Sequence, residues 1–154
     1  MEYAYGWRPG LSNPHESTMM FDAATVAALP PSNSRFSQYL PPIWDQGPLG
    51  ACTAHGILRA VLFALAKAGA SAPMLSRLML YYNERAKEGT TASDAGAIIS
   101  DGVDSLVSQG ACLESLWPYD VSQFTMQPSQ EAVWAAFDQR GKVIAAIPRA
   151  PCEC

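Results

Sequence analysis

The sequence predicts a mainly α-helical fold, because its apolar residues recur at helical spacing in several segments while strand patterns are nearly absent. The strongest segment runs from about Gly50 to Lys67, and its apolar positions are Ile57, Leu58, Val61, Leu62 and Leu65. A second helix is predicted from Ser76 to about Lys87. One strand candidate, Lys142 to Ile147, is rich in Val and Ile. Since a lone strand is unstable, it either pairs locally or belongs to a sheet completed by other sequence.

The ends of the remaining helices are predicted from capping residues. Asp94 is a candidate N-cap for a third helix, which carries Ile98, Ile99, Val103, Leu106 and Val107 and ends at Gly110. Ser129 can cap a fourth helix that has Trp134 and Phe137 on one face and ends near Gly141.

The chain divides into three segments by composition. Residues 1–40 are rich in Pro, Ser, Asn and Gly and are expected to form an extended lead-in, with a short helix conceivable from Ala23 to Leu29. Residues 41–141 hold the helical segments, and residues 142–154 form a strand-like tail. Only 16% of the residues are charged, against about 25% in ordinary soluble domains. Two interpretations stay open: a helical protein with few surface charges, or a unit whose apolar face packs on a partner.

Composition also argues against several functional classes. A net charge of −4 disfavours nucleic acid as the ligand, and no apolar run approaches the length of a membrane span. The N-terminal residues lack the features of a signal peptide. Four cysteines and two histidines, widely spaced, predict neither a disulfide framework nor a zinc site, and no cofactor is expected.

The most specific chemical signal is a cysteine at the predicted start of the first helix. Cys52 follows Gln46 by six residues, with Gly47 and Gly50 between them. A thiol attacks only as its thiolate, and the unpaired N–H groups and positive dipole end of a helix N-terminus stabilise that anion. The Gln46 amide and the Cys52 N–H are suitable donors to a developing oxyanion. Alone, such a cysteine is more often a small buried apolar residue. Asp45 is expected to serve as a turn residue.

The segment from Trp44 to Thr53 resembles the papain-like cysteine peptidases, most closely their microbial branch, in its Asp-Gln-Gly-x-x-Gly-x-Cys-Thr pattern. The similarity continues through residues 80–86, residues 114–120 and the lead-in residues 6–9. The resemblance implies the helical lobe of the papain fold, with the β-rich lobe absent or incomplete. It further implies Cys52 as nucleophile, Gln46 as oxyanion donor, Gly50 and Gly96 as substrate-binding residues, and a peptide or protein as substrate.

The catalytic histidine and asparagine of this family follow the cysteine by roughly 130–150 residues. The histidines of this chain are His15 and His55, and we expect His55 to pack on the lobe that carries it. The resemblance therefore implies an N-terminal half that is inactive alone. The alternatives are a non-catalytic binding or regulatory lobe, or a subunit completed by a separate β lobe or by a second copy. Leu49 replaces a disulfide-forming cysteine of papain, which favours a reducing, cytoplasmic setting.

Overall fold

The structure, a computed structural model, describes residues 6–10 and 37–146. Four α-helices account for most of this part of the chain: α1 (Cys52–Lys67), α2 (Arg77–Glu88), α3 (Ile99–Ser108) and α4 (Gln130–Ala146). Two short strands, β1 (Trp7–Arg8) and β2 (Ala97–Ile98), and two short 3₁₀ turns complete it. The predicted mainly α fold is confirmed.

Helix α1 lies at the centre of the core, in contact with α2 and α3. One face of α1 is buried, and it consists of Thr53, Ala54, Ile57, Leu58, Leu62 and Leu65. The helix ends where the Ala68 N–H bonds back to Ala64, and Gly69 follows with a φ of 70°. The sequence-based bounds of this helix are confirmed to within two residues at its start.

Helix α2 lies within one residue of its predicted bounds at each end and is capped at both ends. The Ser76 hydroxyl accepts a hydrogen bond from the Met79 N–H (3.1 Å), and Gly89 ends the helix with a φ of 71°. Near its end, the guanidinium of Arg85 is buried and donates to the carbonyls of Thr91 and Ser93. This arginine ties the loop after α2 to the helix.

The predicted start of the third helix is wrong, because α3 begins at Ile99 and not near Asp94. The Asp94 carboxylate accepts hydrogen bonds from the Gly50 N–H and the Tyr81 hydroxyl instead of capping a helix. Residues 97 and 98 are used in β2, which pairs in parallel with β1 in the register Trp7 with Ala97. The helix can start only after this pairing ends.

The N-terminal lead-in is described over residues 6–10, where it is extended as predicted and forms β1. Gly6 accepts a hydrogen bond from the Ala97 N–H (2.7 Å), and Arg8 forms an ion pair with Glu88. The short helix predicted from Ala23 to Leu29 lies outside the described residues.

The strand predicted from Lys142 to Ile147 is not found over residues 142–146, and Gly141 does not end the fourth helix. Helix α4 begins after Ser129, whose hydroxyl accepts from the Ala132 N–H (3.2 Å), and continues through Gly141 to Ala146. Ala132, Ala136 and Val143 are buried at helical spacing. Without a neighbouring strand, the helix satisfies the backbone hydrogen bonds of this segment internally. Ile147 lies outside the described residues.

Within residues 6–10 and 37–146, no helix has the combination of length and apolar character that crossing a membrane requires. The same part of the chain holds no group of three or more His, Cys, Asp or Glu side chains placed to bind a metal ion.

Gly96 and Gly89 offer a matched test of the packing between the lead-in and β2. Both have φ near 70°, but an added Cβ would lie 1.8 Å from the Gly6 oxygen at Gly96 and would meet nothing within 4 Å at Gly89. We expect Gly89→Ala to lower the free energy of unfolding by about 1 kcal/mol through backbone strain alone. Gly96→Ala adds a steric clash, so its cost should be about 3 kcal/mol or more. Equal costs in urea denaturation would contradict this packing.

Candidate active site

Cys52 is the first residue of α1 and is partly exposed. The residue before it, Ala51, has no side chain that could cap the helix, and no side-chain cap is formed. The N–H groups of a first helical turn lack intrahelical partners, so they and the helix dipole favour an anion at this position. Cys112, in contrast, is fully buried, and burial raises the pKa of its thiol to about 11.

The loop before Cys52 is held in a fixed shape by its own residues. The Asp45 carboxylate accepts from the Gly47 N–H (2.8 Å), which confirms its predicted role in a turn. Gly47 has a φ of 59°, and the Ala51 N–H donates to the Leu49 carbonyl (2.8 Å). These contacts bring the chain from Asp45 into the first turn of α1.

Gln46 lies on this loop and its side chain turns toward the chain that leads into α1. Its Nε2 donates to the Leu49 carbonyl at 3.1 Å, and its own backbone carbonyl accepts from the Tyr119 hydroxyl at 3.0 Å. The structure thus places the Gln46 amide on the loop that leads into Cys52, and Tyr119 ties that loop to the segment after α3. The role of Gln46 as an oxyanion donor stays a prediction.

Gly50 and Gly96 are brought together by a hydrogen-bond cluster around Asp94 and Tyr81. The Gly50 N–H donates to both carboxylate oxygens of Asp94 (3.1 and 3.0 Å), and the Tyr81 hydroxyl bonds to the same carboxylate. The Gly96 N–H donates to that hydroxyl at 3.1 Å. Burial, with the Asp94 contact second, raises the pKa of the Tyr81 phenol. Both glycine N–H groups already donate hydrogen bonds within the protein. Substrate binding at these two residues therefore stays a prediction.

His55 lies one turn after Ala51 and is enclosed by aromatic and charged side chains. Its Nδ1 is 2.9 Å from the Ala51 carbonyl, which can only accept, so Nδ1 carries the proton. Its Nε2 then accepts from an Arg77 guanidinium nitrogen at 3.3 Å. Its ring packs edge-on against Tyr119, with the ring centroids 4.9 Å apart. The expectation that His55 has a packing role is confirmed.

Arg77 completes this cluster. Its guanidinium pairs with Glu114 (2.7 Å) and lies over the rings of Trp44 and Tyr119, at 5.1 and 4.7 Å from their centroids. Sequence reasoning did not find this group, because Arg77 and Glu114 are 37 residues apart and no local pattern joins them. Only the aromatic run around Tyr119 gave a signal, and it indicated a structural role.

The imidazole of His55 is kept neutral at pH 7. Burial is the largest cause that lowers its pKa, and the positive charge of Arg77 lowers it further, against opposing contributions from the Ala51 carbonyl and nearby carboxylates. A base must have a lone pair to accept the thiol proton, and the Nε2 lone pair is engaged by Arg77. His55 therefore does not have the arrangement of a general base for Cys52.

An apolar cleft of about 540 Å³ runs between α1, α3 and α4. Cys52 and Thr53, at the start of α1, are among the residues that line it. Small residues of α1 form one wall: Gly56, Ala60 and Ala64. The α3 wall consists of Ile99, Val103 and Val107, which are 48%, 44% and 57% exposed. This face of α3 therefore exposes more apolar surface than is usual for a helix face in contact with water.

Comparisons with known proteins identify the family. The structure superposes on xylellain, a cysteine protease from Xylella fastidiosa, with a TM-score of 0.73 and 31% sequence identity, over 88% of this chain and 55% of that one. The chain belongs to the papain-like cysteine peptidase family. An uncharacterised peptidase C1-like protein of Acanthamoeba polyphaga mimivirus is 38% identical over 114 residues, or 73% of this chain. No protein-family profile matches the chain.

The chain spans about one third (34%) of the mimivirus protein and 55% of xylellain. The part described by the structure is mostly helical, as expected for the helical lobe of a papain-like fold. The predicted relationship and fold class are both confirmed.

The neutral His55 has a consequence for stability at acid pH. Because its folded-state pKa is lowered from 6.5, its contribution to stability is fully present above about pH 6.5 and is lost as the pH falls below that value. We expect the free energy of unfolding of the wild type to decline as the pH falls below about 6.5, and to decline less in His55→Asn. A His15→Gln variant, which removes the other imidazole, should keep the wild-type decline in urea denaturation. An unchanged decline in His55→Asn would contradict the assignment.

Proposed function

We propose that this chain supplies the nucleophile half of a papain-like cysteine peptidase site. The observation that carries the proposal is Cys52, partly exposed in the first turn of α1, with Gln46 on the loop directly before it. Xylellain, a cysteine protease, shares this fold at 31% sequence identity, which adds support.

The proposed reaction is peptide-bond hydrolysis in two steps. The Cys52 thiolate attacks the carbonyl carbon, and the oxygen becomes an oxyanion within reach of the Gln46 amide and the Cys52 N–H. The C–N bond then breaks as the leaving amine takes a proton, which leaves a thioester on Cys52. Water hydrolyses the thioester, releases a carboxylic acid and restores the thiol.

The proton transfers in this scheme require a base that His55 does not supply, because both of its ring nitrogens are engaged by Ala51 and Arg77. We therefore place the base on a second lobe, outside the described residues, carried by the same polypeptide or by another one. The 154-residue chain alone is then expected to hydrolyse peptides only feebly.

A second candidate function is a binding lobe that holds a peptide or another protein without cutting it. The apolar cleft favours this alternative, since Ile99, Val103 and Val107 expose aliphatic surface to solvent beside Cys52. The two functions differ in what they need from the thiol: binding without cleavage does not depend on the Cys52 sulfur.

Hydrolysis of a fluorogenic peptide by the pure 154-residue chain tests the proposal. We expect a rate close to that of Cys52→Ala, and a rise in the wild type only when a papain-like β lobe bearing His and Asn is added as a separate polypeptide or fused to the chain. Robust cleavage by the chain alone, abolished by Cys52→Ala and kept in His55→Asn, would overturn the need for a second lobe.

Reaction of the cysteines with iodoacetamide, followed by peptide mapping, tests the nucleophile itself. Cys52 is partly exposed at a helix N-terminus, whereas Cys112 is fully buried with a raised pKa. We expect alkylation of Cys52 to be at least about tenfold faster than that of Cys112 at pH 7. If the folded protein modifies Cys112 first, Cys52 is not the nucleophile.

A further inference from the structure

Glu84 is a carboxyl group buried directly behind the first turn of α1. Its residue is 0% exposed, and its Oε2 accepts a hydrogen bond of 2.7 Å from the hydroxyl of Thr53. Thr53 is itself buried and follows Cys52 in the sequence. One short hydrogen bond therefore connects α2 to the turn that carries the nucleophile.

The second oxygen of this carboxyl group is enclosed by α3. Oε1 of Glu84 is buried and has no hydrogen-bond partner among the described residues. Gly102 of α3 packs on it so closely that an added Cβ would lie 2.3 Å from Oε1 and 2.4 Å from the Ile57 side chain. The close approach of α3 thus keeps this side of the carboxyl dry.

The charged groups around Glu84 do not neutralise it. Arg85, next to it on α2, turns its guanidinium to backbone carbonyls, including those of Thr91 and Ser93. Asp101, on α3, is a like charge and is paired with Lys87 at 2.8 Å. None of the salt bridges among the described residues includes Glu84.

The protonated form of Glu84 is the form that this environment favours. Burial is the largest cause and raises its pKa to about 8, with a smaller contribution from Asp101, while the Thr53 hydrogen bond and Arg85 act in the opposite direction. The carboxyl is therefore mostly neutral at pH 7 and ionises as the pH rises through about 8.

We propose that Glu84 is a positioning residue for Cys52: its neutral carboxyl anchors the first turn of α1, and its ionisation opposes formation of the Cys52 thiolate. The inference rests on the proposed role of Cys52 as nucleophile. An ionised Glu84, hydrogen-bonded to the residue that follows Cys52, would add a negative charge near the proposed thiolate, and a nearby like charge disfavours an anion. While the carboxyl is neutral, the helix N-terminus acts on the thiolate without this opposition.

The test compares Glu84→Gln with the wild type by the rate of iodoacetamide alkylation of Cys52, resolved by peptide mapping from about pH 6 to pH 10. Gln keeps an acceptor for Thr53 and cannot ionise. We expect the variant to react at about the wild-type rate near pH 6 and about threefold to tenfold faster between pH 8 and 9.5, where only the wild type carries the buried charge. A ratio that does not change with pH would mean a purely structural role and would overturn the inference.

Two further comparisons keep the result interpretable. Glu131→Gln removes an exposed carboxylate of α4 and should leave the profile unchanged. Thr53→Val removes a hydrogen bond that lowers the pKa of Glu84, so the onset of the suppressed rate should move to higher pH, whereas Thr53→Ser should leave it in place. If Glu84→Gln does not fold, the Thr53→Val and Thr53→Ser variants test the inference instead. The same onset pH of the suppressed rate in both variants would overturn it.

The outcome also separates this inference from the proposed function. A folded protein whose Cys52 is not alkylated in any variant contradicts the nucleophile assignment, and the role of Glu84 falls with it. A reactive Cys52 with a constant rate ratio removes only the role of Glu84.

Discussion

The site depends most on the carboxylate of Asp94, which fixes the loop that enters α1. Both of its oxygens accept from the Gly50 N–H, and the Tyr81 hydroxyl joins it to the Gly96 N–H. A side chain at position 50 would crowd this contact, since a Cβ there would lie 3.0 Å from the Asp94 oxygen and 3.2 Å from the Gly6 Cα. This contact between distant segments determines where α1 can start, and hence where Cys52 stands.

A second set of contacts holds the same loop from the other side. Tyr119 donates to the Gln46 carbonyl, and its ring packs on His55 and on the Arg77 guanidinium. Arg77 and Glu114 neutralise each other at 2.7 Å, so the cluster adds rigidity with little net charge. Buried polar networks of this kind are specific because every member must be satisfied at once. The loop between Trp44 and Ala51 is therefore positioned by residues from three separate parts of the chain.

The sequence was sufficient where structure follows from local pattern. The apolar repeat of α1 and the bounds of α2 are decided within a few residues, and each was predicted close to its observed position. Asp94 shows where this reasoning fails. Its local context suited a helix cap, but its carboxylate accepts a hydrogen bond from the N–H of Gly50, 44 residues away. The strand prediction for residues 142–147 was wrong for the opposite reason. Val and Ile near residue 143 suggested a strand, yet no neighbouring strand exists among the described residues, and the helical spacing from Ala132 to Val143 decided the outcome.

The candidate site shows the same division. The identity of Cys52 and its spacing from Gln46 could be read from the sequence, as could the packing role of His55. The tertiary contacts of Glu84 could not, because a glutamate in the middle of an amphipathic helix gives no sign of being buried. Its partner, Thr53, is 31 residues away, and the glycine that encloses it is on a third helix. Long-range pairs of this kind depend on how helices approach one another, which a single sequence does not show.

These contacts bear on how Cys52, the proposed nucleophile, would be activated. At pH 7 the imidazole of His55 is neutral, the carboxyl of Glu84 is mostly neutral, and Arg77 and Glu114 cancel each other. The backbone of the first turn of α1 favours an anion by only about 1 kcal/mol at a partly exposed position. An imidazolium brought next to Cys52 would add a full positive charge to that modest effect. Under the function proposed above, a base supplied by a second lobe would not compete with His55, whose ring nitrogens are engaged by Ala51 and Arg77.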